Sequence, residues 1–168
     1  SHELLRKLLR ETLVALSHVH AYDMLHRDIS PDNLILDEND RLTLIDFGAA
    51  REDQSEQLRV LSTVLSVKDG YSPHEFYYAN GSHPPSSDLY SVSATFYHLI
   101  TGEAPPDCQK RLADLSSGRP DPYVPLTSPK ATKIDGFLGG IDRAMAVSQE
   151  RRLQSVEEWL EWLDRDMA

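Results

Sequence analysis

The string His26-Arg27-Asp28-Ile29-Ser30-Pro31-Asp32-Asn33 constrains this chain more than any other feature. Pro31 and the polar residues around it deny the stretch a regular period, so residues 26–33 read as a loop. Leu34-Ile35-Leu36 follows at once, and Leu42-Thr43-Leu44-Ile45 comes after the turn-forming run Asp37-Glu38-Asn39-Asp40. Two short apolar runs across such a turn predict a small antiparallel hairpin. Its second strand delivers Asp46-Phe47-Gly48, thirteen residues beyond Asn33. Antiparallel pairing then brings Asn33 and Asp46 to the same end of the hairpin.

The rest of the chain is predominantly helical. Leu5, Leu9, Leu13, Leu16 and Val19 recur at helical spacing, which predicts an amphipathic helix from residue 3 to about 20. Residues 49–86 lack one period and read as a long functional loop. Ser86 or Ser87 is a candidate cap for a helix that runs to Ile100, with Gly102 just past its end. Ala104-Pro105-Pro106-Asp107 is a break, and residues 116–130 gather prolines and turn residues into an irregular connection. Residues 134–147 and 155–166 predict two further helices, the last opened by a Ser155/Glu158 capping box.

With 168 residues the chain suits one domain with one core. Its formal net charge of −10 argues against a nucleic-acid footprint and against adhesion to anionic membranes. An acidic surface of this kind is ordinarily just a solvated one. Cys108 is the only cysteine, which rules out an internal disulfide and points to a reducing, cytoplasmic setting. No apolar run reaches the roughly 18 residues of a membrane span. The first residue is Ser rather than Met, so the natural chain is expected to begin upstream.

The polar groups at the hairpin end have a chemistry. Asn33 and Asp46 offer two oxygen ligands side by side, and magnesium takes one or two protein oxygens while water and phosphate complete its shell. Asp28, five residues before Asn33, can face an incoming hydroxyl and accept its proton. Without a metal the two aspartates would repel, by about 4 kcal/mol at ~4 Å and an effective dielectric of ~20. One base and two metal ligands are what phosphoryl transfer from a magnesium nucleotide needs.

In these motifs the chain resembles the C-terminal lobe of a eukaryotic-type protein kinase, most of all the bacterial serine/threonine members. The resemblance covers nearly all of it. His26 to Asn33 fits H-R-D-x-x-x-x-N, and Asp46-Phe47-Gly48 fits D-F-G. Leu16-Ser17-His18-Val19-His20 looks like the end of the helix before the catalytic loop. Tyr71-Ser72-Pro73-His74-Glu75 looks like the close of the activation segment, and Ser87-Asp88-Leu89-Tyr90-Ser91 like the start of the central helix. Arg152-Leu153-Gln154-Ser155 resembles the entry to the last helix.

The implied fold is α+β and predominantly helical: a kinase-like C-terminal lobe with one small β-hairpin, the N-terminal lobe being absent. The domain reads as partial over residues 1–168, with catalytic loop 26–33, activation segment 46–75 and helical subdomain 86–168. The implied activity is ATP-dependent transfer of the γ-phosphoryl group to Ser/Thr hydroxyls of a protein substrate. Asp28 resembles the catalytic base, Asn33 and Asp46 the magnesium ligands, and Ile35 the residue beneath the adenine ring. His26 and Phe47 match an apolar column, Asp88 the carboxylate that holds the catalytic-loop backbone, and Glu75 with Arg152 an ion pair.

The departures matter as much. Ser30 stands where the family places a catalytic-loop lysine, and a neutral hydroxyl cannot offset charge on a transferring phosphoryl group. Counting back from Glu75, Lys68 falls where the family has a threonine. A swap is expected, with Lys68 supplying the charge that Ser30 lacks; the alternative is an exposed loop lysine. Pro73-His74 replaces Ala-Pro, and Ser93 replaces a glycine. Arg27 is a candidate reader, with Arg51 or Arg59, of a phosphate on Ser55, Ser62, Thr63 or Ser66. No Gly-rich loop and no lysine strand precedes residue 1, so the 168 residues are expected to be inactive without the missing N-terminal lobe. The competing readings are a kinase-like scaffold and a small-molecule phosphotransferase.

Overall fold

The computed structural model describes residues 1–47, 67–78, 83–130 and 135–165. Gly48, Arg51, Arg59 and the four candidate phosphate acceptors lie outside them. Helix α1 spans His2–His20, with Ser1 as its cap. Leu9, Leu13 and Leu16 are fully buried on its inner face, each such side chain contributing about 1.5–3 kcal/mol by leaving water. Thr12 shares that face and satisfies its hydroxyl on the Leu8 carbonyl at 2.9 Å.

The predicted hairpin forms from β1 (Leu34–Leu36) and β2 (Leu42–Leu44). The strands are antiparallel, with Leu34 opposite Leu44 and Ile35 opposite Thr43. Asp37 organises the turn, its Oδ1 accepting from the amides of Asn39 at 2.8 Å and Arg41 at 3.0 Å. Helix α1 anchors the hairpin from below. Glu11 Oε2 accepts from the Leu42 amide at 2.8 Å, and Lys7 Nζ donates to the Asp40 carbonyl at 2.9 Å.

Helix α2, Pro85–Thr101, runs through the middle of the molecule, and every side chain from Ser86 to Phe96 is buried. Its cap is not the expected serine. Pro84 takes the cap position and Pro85 the first turn, where a preset φ and a missing N–H cost nothing. That frees Ser87, whose hydroxyl donates to Glu75 Oε1 at 2.8 Å. Ser93, in place of a glycine, donates across to the Ile141 carbonyl at 2.8 Å. Gly102 ends the helix at φ +84°, its amide on the His98 carbonyl.

Helix α3, Cys108–Ser116, was not expected from the sequence; Asp107 caps it through the amides of Gln109 and Lys110. Helix α4 is shorter than the predicted 134–147 and covers Gly136–Ala144, because Asp135 caps it. Helix α5, Val156–Asp164, is capped by Ser155, which accepts from the Glu158 amide at 3.1 Å. In return Glu158 Oε2 accepts from the Gln154 amide at 2.7 Å, one residue earlier than in a capping box.

The core lies where α1, α2, α4, α5 and the underside of the hairpin meet. Trp159 of α5 is fully buried there. Residues 117–130 lack helix and strand, but Asp142 pins them, accepting from the amides of Leu126 and Thr127 at 2.8 and 2.9 Å. Among the described residues no helix is long and apolar enough to cross a membrane.

Two buried ionic contacts complete the helical half. Arg111 is held by both oxygens of Asp121, at 2.9 and 2.7 Å. Arg152 grips Glu75 in the same forked way, at 2.5 and 3.1 Å. Arg152 is buried, whereas its neighbour Arg151 is exposed. His74, in place of the usual proline, sets its Nδ1 3.3 Å from Glu75 Oε2. Burial alone would raise the Glu75 carboxyl. The bonds and charge of Arg152, aided by Ser87, outweigh it and hold the group below the ordinary glutamate range.

Two outcomes follow for stability. A Cβ built on Gly140 would meet Trp159 Nε1 at 2.6 Å and Cδ1 at 3.0 Å. Gly140→Ala should therefore lower the denaturant midpoint by the equivalent of about 1–3 kcal/mol. Glu75→Gln strands a buried guanidinium and should cost about 3–5 kcal/mol at neutral pH. Because the folded carboxyl titrates below its unfolded value, its contribution is complete above about pH 5 and disappears as pH falls through the folded value. Urea titrations across pH should show that acid loss in the natural protein and a shallower one in Glu75→Gln.

Candidate active site

The loop of residues 26–33 is held by one carboxylate. Asp88, fully buried in the first turn of α2, accepts from the His26 amide on Oδ2 at 2.8 Å and from the Arg27 amide on Oδ1 at 2.9 Å. His20 Nε2, from the end of α1, lies 2.9 Å from Oδ2. The helix N-terminus favours the negative charge there. These bonds hold Arg27 at φ +68°, a left-handed conformation that costs a residue with a side chain about 1–2 kcal/mol.

His26 does more than the packing its motif position suggested. Its ring is buried, with Nε2 donating to the Ile45 carbonyl at 2.9 Å and Nδ1 accepting from the Asp28 amide at 3.2 Å. The same ring meets Phe47 edge-on, with centroids 4.5 Å apart. One imidazole thus ties the backbone of Asp28 to the end of β2. Only its fixed place in the motif could have signalled this, since both partners are backbone groups.

Asn33 closes the short 3₁₀ turn Pro31–Asn33 and is buried. Its Nδ2 donates to the Asp28 carbonyl at 2.5 Å, and its own carbonyl accepts from the Ile45 amide at 2.9 Å. Asp46 comes next in the chain, at φ +63°. The hairpin end therefore gathers the backbones of Asp28, Asn33 and Asp46. No cluster of three or more His, Cys, Asp or Glu side chains able to hold a metal occurs among the described residues. One carboxylate and one carboxamide oxygen still suit magnesium, which keeps most of its shell as water and phosphate. The Asn33 nitrogen is already engaged as a donor, so its oxygen is the atom left to ligate. Ile35, on β1, is 49% exposed, an apolar face open to a flat ring.

Lys68 comes in from the distant segment. Its Nζ lies 3.1 Å from Asp28 Oδ1, donates to Ser30 Oγ at 2.9 Å and stands 4.0 Å from Asp32 Oδ2. Asp28 Oδ1 is buried and has no aligned hydrogen bond among the described residues, and this ammonium is its near counter-charge. The pair is partly shielded from solvent, where salt screens less. A carboxylate, a cation and an amide thus converge beside the exposed hairpin end.

Residues 1–123 match the family described as the protein kinase domain. The serine/threonine-protein kinase PknA of Nostoc is 35% identical over 170 aligned positions, covering 97% of this chain and 28% of that protein. Serine/threonine-protein kinase D of Synechocystis is 29% identical over 164 positions, covering 94% of this chain and 30% of that protein. The solved PpkA-294 apo form is similar with a TM-score of 0.75 and 34% identity, over 96% of this chain and 54% of that one. The chain spans less than a third of either curated relative. The ordered motifs, the helical lobe with its hairpin and these likenesses make the chain a member of the protein kinase family, of the bacterial serine/threonine type.

Proposed function

We propose that the full-length protein transfers the γ-phosphoryl group of ATP to serine or threonine hydroxyls of a protein substrate. The observation that carries this reading is the meeting of Lys68, Asp28 and Ser30 beside Asn33. Asp28 takes the proton of the attacking hydroxyl as its oxygen approaches phosphorus. Asn33 and Asp46 hold magnesium, which neutralises phosphate charge when bound. Ile35 supports the adenine from below. Lys68 faces the charge that grows on the transferring group, in the place where Ser30 offers only a hydroxyl.

The activity belongs to the longer protein, in which residues beyond this 168-residue chain enclose the nucleotide; the chain alone transfers little. Cys108, a buried free thiol, suits the reducing cytoplasm where we place that reaction.

With ATP and protein substrates, Asp28→Asn in the full-length enzyme should lower turnover about 10²- to 10⁴-fold. Lys68→Ala should lower it about 10²- to 10³-fold, as loss of one transition-state donor does elsewhere. Unchanged turnover in Lys68→Ala would remove that residue from the mechanism. Phosphorylation of aminoglycosides in place of proteins would change the substrate class.

A further inference from the structure

Resting on that reading of Lys68, we propose that Tyr77 is a positioning residue: its phenol straps the loop that carries Lys68 to the start of α3 and so sets where the ammonium sits. A cation borne on residues 26–33 would inherit the anchorage that Asp88 gives that loop. Lys68 has to reach Ser30 from 38 residues away, and its placement depends on what fixes its own turn.

That turn is tight. The amides of Tyr71 and Ser72 both donate to the Lys68 carbonyl, at 3.0 and 2.9 Å, and the Lys68 amide donates to Ser72 Oγ at 3.0 Å. Gly70, at φ +87°, lets the turn lie flat on the chain beyond α2, where a Cβ would come within 3.3 Å of both Ala104 Cβ and the Pro105 carbonyl. These contacts set the shape of the turn and its distance from α2. The Tyr71 hydroxyl, 2.5 Å from His98 Nδ1, ties the far end of the turn to α2, and the end that bears Lys68 is held by its neighbour.

Asp69 supplies that restraint. Its Oδ1 lies 2.9 Å from the Tyr77 hydroxyl, and the same hydroxyl is 3.0 Å from Asp107 Oδ2. Asp107 is itself fixed, since its Oδ1 caps α3 on the amides of Gln109 and Lys110. Burial, reinforced by both carboxylates, pushes the Tyr77 phenol well above its ordinary value. The group therefore stays a donor, and its single proton alternates between the two acceptors. A rigid ring thereby links the neighbour of Lys68 to a helix N-terminus. None of the motif residues makes this contact, and the strap lies outside the groups that touch the reacting atoms.

The test is a kinetic cycle in the full-length enzyme. Tyr77→Phe keeps the ring and removes the strap; kcat should fall about tenfold, as small displacements of a catalytic group do, with KM for ATP within about twofold. Asp69→Asn keeps an oxygen acceptor and should lose less than Asp69→Ala. In a Lys68→Ala background, Tyr77→Phe should cause no further loss, because the strap then has nothing to position. Wild-type kcat in Tyr77→Phe would overturn the proposal. So would a tenfold loss that persists on top of Lys68→Ala, which would mean that Tyr77 acts through another group. If Lys68→Ala itself has full activity while Asp28→Asn is dead, the strap falls together with the role of Lys68, and the kinase reading survives.

Discussion

The arrangement depends first on the Asp88 carboxylate. A bare carboxylate with no access to water would be very costly, and its charge is tolerated only because donors surround it. Here the donors are the amides of His26 and Arg27, with His20 beside them. The fixing runs in both directions. The buried charge requires the loop to present those two amides, and the loop holds Arg27 at positive φ only because the amides are bound. From that point the path to the reactive groups is short. Asp28 follows in the chain, its amide on the His26 ring and its carbonyl on the Asn33 side chain.

The helices supply rigidity to that carboxylate rather than chemistry. Helix α2 is buried along its first three turns although half of those residues are polar. Three of these polar groups bond within the packing: Ser87 to Glu75, Ser93 to the α4 backbone and Thr95 to its own helix. Ser86 Oγ is buried and has no hydrogen-bond partner among the described residues. The helix that presents Asp88 is thus bonded sideways to the segment bearing Glu75 and to α4.

Much of this was legible in the sequence where the pattern was local. The leucines of α1 and the paired apolar runs of the hairpin carry strong periods, and both elements lie where those periods put them. Helix α3 was hidden because Arg111 occupies a core-facing position and is only 2% exposed. Its guanidinium is satisfied by Asp121, the Tyr90 hydroxyl and the Met145 carbonyl, partners that no helical period reveals. The cap of α2 was misread for a similar reason, since Ser87 is a good capping residue that tertiary contacts use elsewhere. Counting from Glu75 marked Lys68, but only the folded turn brings its ammonium to Asp28. Asp69, Tyr77 and Asp107 carry no pattern that would join them.

The net charge of −10 also takes on a different meaning once the chain is folded. An acidic composition is expected to lie on the surface and keep the protein soluble. Here a large share of the carboxylates accept from backbone amides that have no partner in a helix or strand. Asp37 closes the hairpin turn, Asp88 holds the loop of residues 26–33, and Asp107 and Asp135 cap helices. Asp142 fixes the proline-rich connection, and Glu11 satisfies the open edge of β2. Long irregular segments leave many N–H groups that must find acceptors, and in a lobe with a single two-stranded sheet the side chains provide them. For these six residues the acidity is the hydrogen-bonding complement of a loop-rich fold. Replacing these aspartates by lysine to alter solubility would take apart the loops that form the candidate site.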